Sequence, residues 1–292
     1  MQSPRWTAVQ ESEFPWEREA LSYLRDRLPD AEPFRAYSNF EFIAEDGSIN
    51  EVDLLVVSLY RIYLVEIKSR PGRVEGDAAT WTWTTDGVVR TVDNPLLLAN
   101  RKAKKLKDLL RRQKAMQRHR IPYVESIVFL SHQNTHCKLT GAARTGVYLR
   151  PEVERDGNPD VISVLSGEVD QAGGAGMPGS RIDAPLSRAI GRALNDAGIR
   201  PMQRHRQVGD YVLGRLLVET DVYQDWEATH VRFGSSHRRI RIYPNALQSS
   251  ETSRAERHRA AEREYRLLDG VIHPGILRVE SFTEHERGPA LL

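Results

Sequence analysis

The residues best suited to chemistry are Asp53, Glu66 and Lys68: two acids with twelve residues between them and a lysine two places beyond the second. They lie in the strings Asn50-Glu51-Val52-Asp53-Leu54-Leu55-Val56-Val57 and Leu64-Val65-Glu66-Ile67-Lys68-Ser69, both of which read as strands. Residues two apart in a strand share a face, so Glu66 and Lys68 point one way while Val65 and Ile67 point into a core. An unpaired carboxylate in an apolar strand is costly, so Glu66 calls for a cation nearby. Lys68 alone could supply it. A divalent metal shared with Asp53 is the stronger expectation, because Mg²⁺ favours one or two carboxylates plus water and phosphate oxygens.

Several elements must position these residues. A short amphipathic helix is expected from Trp16 to Leu28, with Ala20, Leu21, Leu24 and Leu28 at helical spacing and Pro29 behind. Strands are expected at Phe34–Phe42, Glu51–Val57 and Ile62–Ile67. Trp81 and Trp83, the Asp86-Gly87 turn and Val88–Val92 read as a hairpin on the sheet's edge. Asn94-Pro95 opens a helix with Ala99, Ala103, Leu106 and Leu110 on one face. Further strands are expected at Ser126–Leu130 and Gly146–Leu149. Helices interleaved with strands make an α/β domain.

The composition bounds the rest. At 292 residues the chain is long enough for two domains. A hydrophobic share of 40% and a charged share of 28% are those of a globular protein. No apolar run approaches the roughly 18 residues of a membrane span, and the first residues lack a signal peptide's basic start and apolar core. Cys137 is the only cysteine, which fits a reducing compartment. A cytoplasmic protein without membrane contact is the expectation. The net charge of +2 is too small to imply nucleic acid, so any such argument must come from local clustering.

With these residues in place, the chain from about Glu13 to Arg150 resembles the nuclease-related domain, NERD, a branch of the PD-(D/E)XK restriction-endonuclease-like superfamily. An acid early in the first helix falls on Glu17, the strand aspartate on Asp53, and the Glu-x-Lys on Glu66 and Lys68; Gly72 and Asn94-Pro95 match further parts of the pattern. Where the family often has Gln shortly after Asn-Pro, this chain has Leu98. The resemblance implies a mixed sheet flanked by helices and a catalytic set of Asp53, Glu66, Lys68 and Glu17. It further implies Mg²⁺ or Mn²⁺ held by Asp53, Glu66 and the backbone carbonyl of Ile67 against a scissile phosphate. Lys68 would orient the attacking water and offset charge on the phosphate, and Glu17 would complete the shell directly or through water. The bland alternative is a set of strand salt bridges.

Three other features carry alternatives. From Arg101 to Arg120 ten lysines and arginines face one acid, Asp108. Lys102, Lys104, Lys105 and Lys107 are the candidates for binding DNA phosphates, although a solvated helix face is the usual reason for such a run. His132, His136 and Cys137 have a spacing zinc sites use, but no second ligand pair appears. Trp81 and Trp83 could stack on bases, or could pack a hairpin face.

Residues 151–207 read as a linker with one short helix through Leu186, Ile190 and Leu194, a short strand at Val161–Leu165 and a glycine-rich run at 173–179. Residues 208–292 then resemble a truncated α+β N-terminal lobe of a Ser/Thr protein kinase. Tyr211–Leu217 and Trp226–Ala228 read as its first two strands; Arg241 falls at the lysine position of the third, and Glu264 where the helix glutamate is expected. The glycines that let backbone amides approach ATP phosphates are replaced by Val218, Thr220 and Tyr223. Arginine differs from lysine in shape and reach. ATP binding is therefore expected only in a complete kinase and is doubtful here.

A NERD domain followed by such a lobe resembles the kinases of phage growth limitation and related BREX bacteriophage-defence systems. That resemblance implies a metal-dependent nuclease acting on DNA within an antiviral kinase, with other defence proteins as partners. The rival expectation is a non-catalytic DNA-binding or partner-docking module that regulates an attached kinase.

Overall fold

A computed structural model describes residues 5–12, 14–153, 157–168, 181–201, 207–220, 222–244, 251–285 and 288–292. Glu13, the expected domain start, and the run 173–179 lie outside the described residues. The chain divides into two units, one of residues 1–42 and 51–201, the other of 43–50 and 202–292.

The first unit is mixed α/β. Its elements are β1 (Trp6–Ala8), α1 (Pro15–Arg25), β2 (Arg35–Ile43), β3 (Ile49–Val57), β4 (Ile62–Lys68), β5 (Gly72–Gly76), β6 (Thr80–Thr85), β7 (Val88–Asp93), α2 (Pro95–Arg111), β8 (Val124–Leu130), β9 (Thr135–Cys137), β10 (Val147–Leu149), α3 (Val161–Leu165) and α4 (Ala184–Asp196). Six strands form one sheet in the order β1-β2-β3-β4-β8-β10. β3 and β4 run antiparallel, whereas β8 is parallel to both β4 and β10.

The central strands are covered on both sides, which is why Leu54, Leu55, Val56 and Val57 are all buried. On one face Leu54, Val56, Val65 and Ile67 pack against Ala20, Leu21 and Leu24 of α1 and Val161, Val164 and Leu165 of α3. On the other, α2 lies over β4 and β8. Pro95 at its first turn needs no N–H partner, and the Asn94 side chain accepts the Leu96 N–H at 2.9 Å, fixing where α2 starts.

Two expectations about elements are corrected. Val161–Leu165 is a helical turn: Asp160 accepts the N–H groups of Ile162 and Ser163, and Val161, Val164 and Leu165 are buried at helical spacing. This cap overrides the strand preference of β-branched residues. Together with α4, whose Ser187 is wholly buried, it brings much of the expected linker into the first unit.

The Trp hairpin does not extend the main sheet. β7, β6, β5 and β9 form a separate four-stranded sheet in that order. Trp81 and Trp83 are buried against Val74, Leu96, Val128 and Leu130, so they are core. Gly72 opens β5 at φ +96°, and an added Cβ would stand 2.3 Å from the Thr84 carbonyl oxygen, so only glycine fits.

The second unit is β-rich. Its elements are β11 (Gln207–Val208), β12 (Tyr211–Glu219), β13 (Gln224–His230), β14 (His237–Ile242), α5 (Glu251–Leu268), β15 (Phe282–His285) and β16 (Gly288–Leu291). The sheet order is β11-β12-β13-β14-β16-β15, and α5 packs on β16. Its core contains Leu213, Trp226, Ala228, Ile240 and Ile242, joined by Ile49 from the 43–50 turn. The Gln224 side chain bonds both the N–H and the C=O of Ile49, at 3.2 and 3.1 Å. No helix among the described residues is long and apolar enough to cross a membrane.

Candidate active site

The β3–β4 register sets Leu54 opposite Val65. One step along on each strand are Asp53 and Glu66, and because side chains alternate, both point away from the α1 face, toward α2. Beyond Val65 the ladder to β3 ends, and the Ile67 N–H is instead taken by Asp53 Oδ2 at 2.7 Å. Lys68 Nζ donates to Glu66 Oε1 at 2.8 Å. The expected trio therefore converges. It does so on the third and fourth strands of the six, away from the sheet's outer strands.

Sequence reasoning missed the fourth member. Lys102 Nζ donates to Glu66 Oε2 at 3.1 Å, and its side chain is only 7% exposed. The expectation that Lys102 faces DNA phosphates is corrected: its side chain turns inward onto Glu66. The signal was legible, since position 102 falls between Ala99 and Leu106 on the apolar face of α2 rather than on its basic face.

Glu17 stands in the first turn of α1, and its negative charge is felt at Asp53. The start of α1 meets the end of β4 where Ser69 Oγ donates to the Trp16 carbonyl at 3.5 Å. Burial, and then the charge of Glu66, push Asp53 up to about 8. Burial works the same way on Glu66, but Lys102 and Lys68 outweigh it and hold that carboxyl at about 2. For both lysines burial favours the neutral form, yet the carboxylates prevail and raise them.

The donors suit a hard cation. Two carboxylates face one space, and the carbonyl of Ile67 follows an N–H already held by Asp53. Among the described residues no three His, Cys, Asp or Glu side chains gather as a metal-holding group. Mg²⁺ does not require three, because waters and phosphate oxygens complete its shell. A zinc site at His132, His136 and Cys137 does require more, and the same observation removes its basis. His132 Nδ1 accepts the Asn134 N–H at 3.0 Å.

Along α2, Lys104 is exposed and Lys105 and Lys107 are partly exposed, with Arg101, Arg111 and Arg112 exposed nearby. Lys107 and Arg61 each lie 5.6 Å from the ring centre of Tyr123, which is 58% exposed.

In the second unit, Arg241 bonds Glu264 Oε1 at 2.6 Å and chelates Asp225 at 2.7 and 2.9 Å. Asp225 is fully buried and also accepts from Arg239. The Arg241 guanidinium lies 3.6 Å from the ring centre of Tyr223. In the β12–β13 turn the Thr220 hydroxyl accepts the N–H groups of Val222 and Tyr223 at 3.1 and 3.0 Å.

Residues 12–131 match the family described as nuclease-related domain, NERD. The whole chain is 34% identical to a protein of Streptomyces coelicolor named "Probable kinase PglW", and spans 18% of that relative's length.

Proposed function

We propose, for a chain whose residues 12–131 match the nuclease-related domain, that this domain is a metal-dependent nuclease acting on DNA. The observation that carries the reading is the convergence of Asp53, Glu66 and Lys68 on one sheet face beside the start of α1. Asp53, Glu66 and the carbonyl of Ile67 would hold Mg²⁺ or Mn²⁺. The bound cation supplies charge for the scissile phosphate and acidifies a water. Lys68, the more exposed of the two site lysines at 36%, would orient that water and offset charge gathering on the phosphate. Glu17 would act through water from the helix start. Lys104, Lys105 and Lys107 would take neighbouring phosphates.

Incubation of linear and supercoiled DNA with the chain and Mg²⁺ or Mn²⁺ tests the reading. The wild type should cut, and Glu66→Ala and Lys68→Ala should not. Full activity in both variants would remove the assignment.

One observation favours a second reading, a non-catalytic DNA-binding or partner-docking module. Both oxygens of Glu66 are already held by lysines. Steeply salt-dependent DNA binding with no cleavage by either metal would support it. The likeness to a far longer protein named a probable kinase, together with the kinase-like Arg241 and Glu264 pair, leads us to place the chain within a bacteriophage-defence kinase, with other defence proteins as partners.

A further inference from the structure

Lys102 is a buried cation whose ammonium stands where a second ligand of Glu66 would be. It shares the buried face of α2 with Ala99, Ala103 and Leu106. The helix thus offers the site one polar group, and a charged one. Glu66 directly bonds both ammonium groups, Lys68 and Lys102, while the charge of Asp53 is felt at both lysines, that of Glu17 at Asp53 and that of Glu51 at Lys102.

We infer that Lys102 is a positioning residue that competes with the divalent cation for Glu66. It holds the carboxylate in its working rotamer while the metal is absent, and weakens metal loading until nucleic acid arrives. The inference rests on the metal-site reading above. Two physical effects support it. A buried Glu66 without a cation would be costly, so the metal-free protein needs a resident partner, and Lys68 reaches only one of its oxygens. A dication entering beside two ammonium groups meets like charge in an enclosed place, and the phosphates of a nucleic acid are what restore the balance. Metal retention is then tied to occupancy by a polyanion, which guards against idle loading.

The test is Mn²⁺ titration of the full 292-residue chain without nucleic acid, read by the spectroscopic signal of free Mn²⁺, alongside melting with and without the metal. Lys102→Gln should bind Mn²⁺ about fivefold or more tightly than the wild type, a modest coupling between two sites. Its melting temperature should lie below the wild type in chelator and rise further on adding Mn²⁺. Lys102→Arg, which keeps the charge, should load Mn²⁺ as weakly as the wild type, and should do so even where the Gln variant folds poorly. A folded Gln variant that binds Mn²⁺ no better than wild type would overturn the inference, as would an Arg variant that loads metal several-fold more tightly. Glu66→Gln separates the two readings. If it abolishes Mn²⁺ binding while Lys102→Gln changes nothing, only the role of Lys102 fails. If it leaves Mn²⁺ binding intact, the metal site itself is misassigned and both readings fall.

Discussion

Asp53 reaches across from β3 and accepts the backbone N–H of Ile67 on β4 at 2.7 Å, where the ladder between the two strands has run out. One side chain therefore closes the sheet locally and, on the proposed function, would offer the metal its second carboxylate. Asn can keep the first role and cannot keep the second. In chelator, Asp53→Asn should melt at or above the wild-type temperature, because it retains an acceptor and removes a poorly solvated acid beside Glu66. Asp53→Ala should lose about 1 kcal/mol relative to the Asn variant for the orphaned N–H. Neither should show a Mn²⁺-dependent rise in melting temperature. An Asn variant that still responds to Mn²⁺ would rule Asp53 out as a ligand.

Neutralising Lys104, Lys105 and Lys107 should weaken DNA binding and flatten its salt dependence, by about 0.9 in the log–log slope for each true phosphate contact on duplex DNA. Lys102 does not belong in this set. Fluorescence anisotropy across a salt series reads the slope, and an unchanged slope in the triple variant would mean that this face of α2 does not touch DNA.

In the second unit Arg241 is held by Asp225 and Glu264 and covered by Tyr223, while the Thr220 hydroxyl occupies two turn amides that a nucleotide phosphate would need. Calorimetry with Mg-ATP should give no micromolar binding by this chain. Arg241→Ala should destabilise the unit by about 1.5–3 kcal/mol, since Asp225 loses one of its two arginine partners and keeps Arg239. Tight ATP binding, or a neutral Arg241→Ala in chemical denaturation, would contradict this picture.

Trp81→Ala should cost about 3–5 kcal/mol in denaturant unfolding, because the side chain is wholly buried between the small sheet and β8. At matched folded concentration its DNA affinity should be that of the wild type. A large loss of affinity with little loss of stability would restore the stacking role.

The trio at the site was legible because strand alternation is local: Glu66 and Lys68 had to share a face, and only residues 58–61 separate the Asp53 strand from theirs. What the sequence did not disclose depends on contacts made at long range. Parallel pairing of β5 with β9 draws the Trp hairpin into its own sheet, and nothing near Trp81 encodes that partner. Lys102 is a different case. Its helical phase was readable, but the density of charge between Arg101 and Lys107 masked the one lysine that lies in register with the apolar stripe. At Val161–Leu165, β-branching pointed to a strand while the Asp160 cap decided for a helix.

The central claim is that Asp53 and Glu66 share a divalent cation, and anomalous scattering from crystals soaked in Mn²⁺ tests it most directly. The account predicts one strong peak between the two carboxylates, at about 2.0–2.2 Å from their oxygens, with Lys102 drawn back from Glu66 Oε2. A saturating soak that leaves both lysines on Glu66 and places manganese elsewhere, or nowhere, would contradict it.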